Sequence, residues 1–189
     1  MREKIVLIDG YSILSRAFYG IHASMTNFEG LHTNAIYGFL NIMFRIMDEE
    51  APDYLAVAFD VKAPTFRHRL YDAYKGTRKG VPEELTEQVP VLKELLTAMG
   101  IRTAELSGYE ADDILGTLSL RCEREGLFVV LVSGDRDMLQ LAGRNVKIRI
   151  PKTKGGSAVV EDYLEADVVE RLGVTPAEFI DVKALMGDS

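Results

Sequence analysis

Three short apolar runs constrain this chain more than any other feature: Lys4–Ile8 (KIVLI), Tyr54–Phe59 (YLAVAF) and Phe128–Val132 (FVVLV). None of them alternates apolar with polar residues. A strand that is apolar on both sides must be covered on both faces, as the central strands of a parallel sheet are. The stretches between them carry helical period instead. Ile36, Phe39, Leu40, Met43 and Met47 form one apolar stripe. Leu85, Val89, Leu92, Leu96 and Met99 form a second, with Gly100 as its stop, and Ile114, Leu115 and Leu118 form a third, closed by Gly126. Val146–Ile150 and Ala158–Val160 flank Lys154-Gly155-Gly156, which predicts a hairpin or turn. Thr175-Pro176 predicts an N-cap followed by proline at the first helical position, opening a last helix toward Met186. Strands alternating with helices give an α/β fold with a mostly parallel central sheet flanked by helices.

The acids fall where such a sheet would gather them. The first run ends in Asp9-Gly10, the second in Asp60, and the third leads into Ser133-Gly134-Asp135-Arg136-Asp137. Carboxyl ends of parallel strands share one edge, and ligands bind there. Asp9, Asp60, Asp135 and Asp137 are therefore expected at one edge. Glu110, Asp112 and Asp113 open the third helix, with Glu110 and Asp113 on one face. Taken singly, each acid reads as a turn former or a helix-start charge. Taken together, they would repel one another unless cations or protons relieved them. An all-oxygen donor set suits hard ions such as Mg²⁺ or Mn²⁺. Two such ions about 4 Å apart give a route to phosphodiester cleavage. His22, His32 and His68 do not adjoin the acids, so nothing points to histidine as the base.

The net charge of −7 argues against a general nucleic-acid binder, but its distribution is uneven. Lys62, Arg67, Arg69, Lys75, Arg78 and Lys79 crowd one stretch against the single acid Asp72. Thr65 can cap a helix there, and four- and three-residue steps would place Arg67, Tyr71, Tyr74 and Arg78 on one face. Cations and rings on one face suit single-stranded nucleic acid. An ordinary solvated helix with inward tyrosines fits the same pattern. Gly76–Pro82 combines Gly, Pro and charge and reads as a mobile loop.

The 189 residues suffice for one domain. No run of eighteen apolar residues indicates a membrane span, and the N-terminus lacks the order of a signal peptide. The lone Cys122 cannot form an internal disulfide and reads as a packing residue, so a cytoplasmic protein is expected.

Motifs in order along the whole chain resemble the 5′–3′ exonuclease domain of bacterial DNA polymerase I, within the flap endonuclease group. They are Asp9-Gly10, Phe59-Asp60, Phe66-Arg67-His68, Tyr71-Asp72-Ala73-Tyr74-Lys75 with Arg78, Gly108-Tyr109-Glu110-Ala111-Asp112-Asp113, Ser133-Gly134-Asp135-Arg136-Asp137 and Leu185-Met186-Gly187-Asp188-Ser189. The resemblance implies a PIN-like fold with a helical arch over about residues 75–91, through which a 5′ single strand passes. It implies a Mg²⁺- or Mn²⁺-dependent nuclease acting on branched or 5′-flap DNA, with two ions in the complete domain. Asp9, Asp60, Glu110 and Asp112 would surround the first ion, with Asp113 beside them, and Asp135, Asp137 and Asp188 would serve the second. Arg16, Lys75 and Arg78 would act at the scissile phosphate. Arg67 would bind phosphate, and Tyr74 would stack at the gateway. The family continues past Gly-Asp-Ser with a further acid and a duplex-gripping helix–turn–helix. The resemblance thus implies a catalytic core over 1–189, incomplete at its C-terminus, within a monomeric, nucleoid-associated chain that also carries polymerase domains.

Three other readings are separable. A haloacid-dehalogenase-type phosphatase needs Asp-x-Asp after its first strand, and Tyr11 stands at the second position. A DNA-binding module without catalysis would hold forked DNA whether or not Mg²⁺ is present. An RNA-directed nuclease would share the acid-lined sheet, but the Lys75/Arg78 motif favours the flap-type enzyme.

Overall fold

The computed structural model describes residues 2–21, 25–76, 80–154 and 157–187, without the side chains of 153–154 and 157–158. The chain divides into two compact units: Met1–Asp9, Pro52–Leu55 and Leu115–Ser189 in the first, Gly10–Ala51 and Ala56–Ile114 in the second.

The first unit is built on β1 (Lys4–Asp9), β4 (Phe128–Val132), β5 (Val146–Lys154) and β6 (Ser157–Tyr163). β1 pairs with β4 and β4 with β5, both parallel, while β6 returns antiparallel to β5. The burial is consecutive, as the apolar runs require. Val6, Leu7, Ile8 and Val129 through Val132 are all fully buried. After β4 come a 3₁₀ turn (Arg136–Leu141), α7 (Glu165–Leu172) and α8 (Pro176–Met186). α8 starts as its sequence predicts. Thr175 Oγ1 accepts from the Glu178 amide at 3.2 Å, and Glu178 reaches back to the Thr175 amide at 2.8 Å.

The second unit holds α1 (Gly10–Gly20), α2 (Asn34–Glu50), α3 (Phe66–Leu70), α4 (Glu83–Thr86), α5 (Gln88–Ala98) and β3 (Arg102–Ala104). β3 pairs parallel with the end of β2 (Tyr54–Ala58), a strand that begins in the first unit, where Asp53 bonds Lys4. The full strand order is β3-β2-β1-β4-β5-β6. Parallel pairing within each unit and one antiparallel edge make the mostly parallel α/β sheet expected. α6 (Ala111–Arg124) starts in the second unit and continues into the first. Gly10 has a packing reason to be glycine. A Cβ built there would lie 2.4 Å from the Phe59 ring.

The start of α2 is capped from a distance. Its N-cap residue, Thr33, makes no side-chain cap bond. Instead the fully buried Gln88 of α5 accepts from the Ala35 and Ile36 amides at 2.9 and 3.2 Å and donates to Asn34 Oδ1. Replacing Gln88 by Met keeps the bulk and removes the acceptor, leaving two buried amides unpaired. Thermal and urea unfolding should then show a loss of roughly 2 kcal/mol. A change below about 0.5 kcal/mol would mean that water replaces the cap.

The basic segment departs from its periodic reading. α3 ends at Leu70, Tyr71 is extended (φ −149°), and residues 72–76 form turns rather than more helix. Arg67, Tyr71 and Tyr74 therefore share no helix face. The break falls at Tyr71, and Lys75, in the left-handed region at φ +56°, keeps an α-helix from running on through it. Thr77, Arg78 and Lys79, the centre of the expected mobile loop, lie outside the described residues.

Candidate functional site

Each unit gathers its own acids. In the first, the pairing of Ile8 with Val132 puts Asp9 beside Ser133 where the strands end. Ser133 is fully buried and donates its hydroxyl to Asp9 Oδ2 at 2.8 Å, while the serine oxygen accepts from the Asp135 amide at 3.0 Å. Asp9 is only 5% exposed, so this bond fixes a carboxylate with little access to water. Asp135 Oδ1 accepts from the Asp137 amide at 2.8 Å and caps the 3₁₀ turn. Asp137 Oδ1 lies 2.9 Å from Lys183 Nζ of α8. This ion pair is the contact of an oxygen otherwise shielded from solvent. Ser133 was invisible as a functional residue because its partner is 124 residues away. Its signals were its place directly after a buried strand and at the head of the Ser133-Gly134-Asp135-Arg136-Asp137 motif, neither of which names its partner.

In the second unit the acids surround the start of α6. Asp60 Oδ1 accepts from the Ala111 amide at 2.8 Å, so the acid after β2 caps this helix. Asp113 Oδ2 accepts from the Glu110 amide at 3.0 Å. Arg67 grips Asp113 with two parallel bonds of 2.7 and 2.8 Å. Glu110, 8% exposed, accepts from Lys75 Nζ on Oε1 at 2.7 Å and from the Tyr74 hydroxyl on Oε2 at 3.1 Å. Asp112 is half-buried in the first turn of α6.

The expected DNA-contacting groups divide accordingly. Arg67, Tyr74 and Lys75 all meet acids in this structure. Burial raises the Tyr74 pKa, with the Glu110 charge adding to it against Lys75. Arg16 is half-buried on α1, and desolvation lowers its pKa. His68 turns inward. Its Nδ1 accepts from the Thr65 amide at 3.1 Å, and its ring meets Tyr74 edge-on at 5.2 Å between centroids. Arg78 and Asp188 lie outside the described residues.

The Arg67–Asp113 pair has a pH signature. The Arg67 hydrogen bonds hold the Asp113 carboxyl below its ordinary 3.8, with the Glu110 amide assisting against partial burial. A carboxyl depressed by folding contributes stability that is complete above 3.8 and is lost as pH falls through its lower folded value. Asp113→Asn should therefore be less stable than wild type near neutral pH, with the difference shrinking below about pH 4. Acid titration of the unfolding free energy checks this. A constant difference down to about pH 2 would count against the pair.

Among the described residues, no three His, Cys, Asp or Glu side chains are grouped as a metal ion would need them. The donor chemistry nevertheless fits a hard divalent cation, since every acid offers only oxygen. The Glu110 position also already attracts positive charge, with Lys75 on one oxygen and Arg67 Nη1 3.7 Å from the other. Among the described residues, no helix is long and apolar enough to cross a membrane.

The chain is 48% identical over 188 residues to DNA polymerase I of Bacillus caldotenax and 45% identical over 188 residues to that of Bacillus subtilis. It is covered completely in both cases and spans 21% of each relative's length. Its fold matches a bacteriophage T5 flap endonuclease solved with DNA and metal ions, at a TM-score of 0.74 and 21% identity, over 98% of this chain and 67% of that one. The catalytic core of Rad2 in complex with DNA substrate matches at a TM-score of 0.56 and 15% identity, over 99% of this chain and 55% of that one. The profile of 5′-3′ exonuclease, N-terminal resolvase-like domains matches residues 4–173, and the chain belongs to that family.

Proposed function

We propose that this chain is the catalytic core of a structure-specific 5′ nuclease that hydrolyses DNA phosphodiesters at 5′ flaps and branches with divalent metal ions. The observation that carries the reading is the enclosed Glu110 carboxylate, held by Lys75 and Tyr74 from the segment after α3. Acids and the cations that would meet a phosphate converge on one helix start. Family membership supports the same chemistry, and the T5 flap endonuclease of like fold binds both DNA and metal ions.

In this reading Asp9, Asp60, Glu110 and Asp112 ligate a first ion, with Asp113 acting directly or through water. Asp135, Asp137 and Asp188 serve a second. Mg²⁺ or Mn²⁺ would supply a water nucleophile at neutral pH and charge stabilisation for the leaving oxygen. The protein's own groups do the rest. Ser133 orients Asp9, and the Ala111 amide orients Asp60. Lys75, Arg78 and Arg16 face the scissile phosphate and offset the charge that develops on it. Arg67 binds a flanking phosphate, and Tyr74 lies at the base of an arch over residues 75–91. The core would act as a monomer inside a longer cytoplasmic, nucleoid-associated chain with polymerase domains, in primer removal and repair.

A 5′-flap cleavage assay on the full-length protein tests this. Cutting should appear with Mg²⁺ or Mn²⁺ and vanish with EDTA. Undiminished cutting in EDTA, or flap binding with no cutting under any ion, would overturn the proposal.

A further inference from the structure

Glu110 carries one negative charge, and both of its oxygens are engaged by neighbours from a single segment. Lys75 Nζ is 2.7 Å from Oε1, and the Tyr74 hydroxyl is 3.1 Å from Oε2. The Glu110 side chain is 10% exposed and that of Lys75 28%, so the contact is shielded more than a surface ion pair. Lys75 makes it from a left-handed backbone at φ +56°, which a residue with a Cβ adopts reluctantly. The nearby Arg67 commits both ends of its guanidinium to Asp113. Lys75 is thus the ammonium group matched to Glu110, and a strained backbone presents it.

A carboxylate oxygen that holds an ammonium group at 2.7 Å cannot also ligate a divalent cation at about 2.1 Å without bringing two cations together. Their repulsion in a partly desolvated site is large. We propose that the Lys75 ammonium is a built-in placeholder for the divalent cation at Glu110, so that the two compete for one carboxylate and cation loading releases Lys75 toward the substrate phosphate. The placeholder keeps a buried acid neutralised when no ion is bound. It also orders the events, because Lys75 is held on Glu110 until the ion arrives. Coupling of this kind is reciprocal: the ion weakens the Lys75–Glu110 contact by the factor by which that contact weakens the ion. The inference rests on the reading above, in which Glu110 is a metal ligand.

Titration of Mn²⁺ into this chain by isothermal calorimetry, without DNA, tests it apart from activity. Lys75→Met removes the ammonium group and keeps most of the stem. It should bind Mn²⁺ roughly 5- to 20-fold more tightly than wild type. Lys62→Met removes a charge from an exposed lysine ahead of the same segment and should change affinity by less than about twofold. Metal-free thermal unfolding reports whether each variant folds, and Lys75→Gln replaces Lys75→Met if the latter does not. Unchanged or weaker Mn²⁺ binding in the Lys75 variants overturns the placeholder, as does an equal gain from Lys62→Met. Glu110→Gln separates this failure from failure of the ligand assignment. If it leaves Mn²⁺ affinity untouched, Glu110 is no ligand and both fall. If it weakens Mn²⁺ binding while the Lys75 variants match wild type, only the placeholder falls.

Discussion

Asp60→Asn in the full-length protein should lower 5′-flap cleavage by on the order of 10³-fold while leaving the fold nearly as stable as wild type. The two effects separate because Asp60 does two things. Its Oδ1 accepts from the Ala111 amide at 2.8 Å and so caps α6, the helix that presents Asp112 and Asp113 and starts directly after Glu110. An asparagine keeps a carbonyl oxygen for that amide, and Asn and Asp are close to equal as N-terminal caps. It removes the charge that a divalent ion would need. Asp60→Ala removes both, and about 1 kcal/mol of stability should go with the cap. Cleavage rates set beside urea unfolding distinguish the outcomes. If Asp60→Asn cuts like wild type and only Asp60→Ala fails, Asp60 serves the helix start and is not a ligand.

That double role shows why the sequence spoke clearly about the acids and less clearly about what each one does. The strands were legible because β1 and β4 are apolar through their centres and their burial is consecutive. β3 was not. Its three residues, Arg102–Ala104, carry no apolar signal, and pairing with β2 alone makes them a strand. The helix over Leu85–Met99 appears as two pieces, α4 and α5, since a repeat of apolar residues does not report a break that leaves the stripe in phase. The stretch from Phe66 misled for a similar reason. Periodicity joined Arg67 to Tyr71, Tyr74 and Arg78, but an extended Tyr71 followed by a left-handed Lys75 leaves no trace in a pattern of side-chain types. The acids themselves stood out by position. Their partners did not, because Ser133 with Asp9, Arg67 with Asp113, and Lys75 with Glu110 meet only through the tertiary fold.

Lys75→Ala should slow flap cleavage by about 10²- to 10³-fold, the usual cost of losing one group that stabilises transition-state charge. Flap affinity in the presence of Ca²⁺, which occupies oxygen sites with little cutting, should fall by less than about tenfold, as expected for one phosphate contact among several. Equal losses in rate and affinity would make Lys75 an ordinary binding residue. The backbone needs its own control, because position 75 lies at φ +56°. Alanine is no more at ease there than lysine, whereas Lys75→Gly relieves the conformation. If the side chain carries the effect, both variants lose the same rate. If Lys75→Gly alone cuts normally, the strained turn was limiting and the ammonium group was not. The Lys75–Glu110 contact adds a sign that a simple catalytic lysine would not give. The variants that cut slowest should hold Mn²⁺ tightest, since the group that aids the reaction with DNA bound is the one that occupies Glu110 without it.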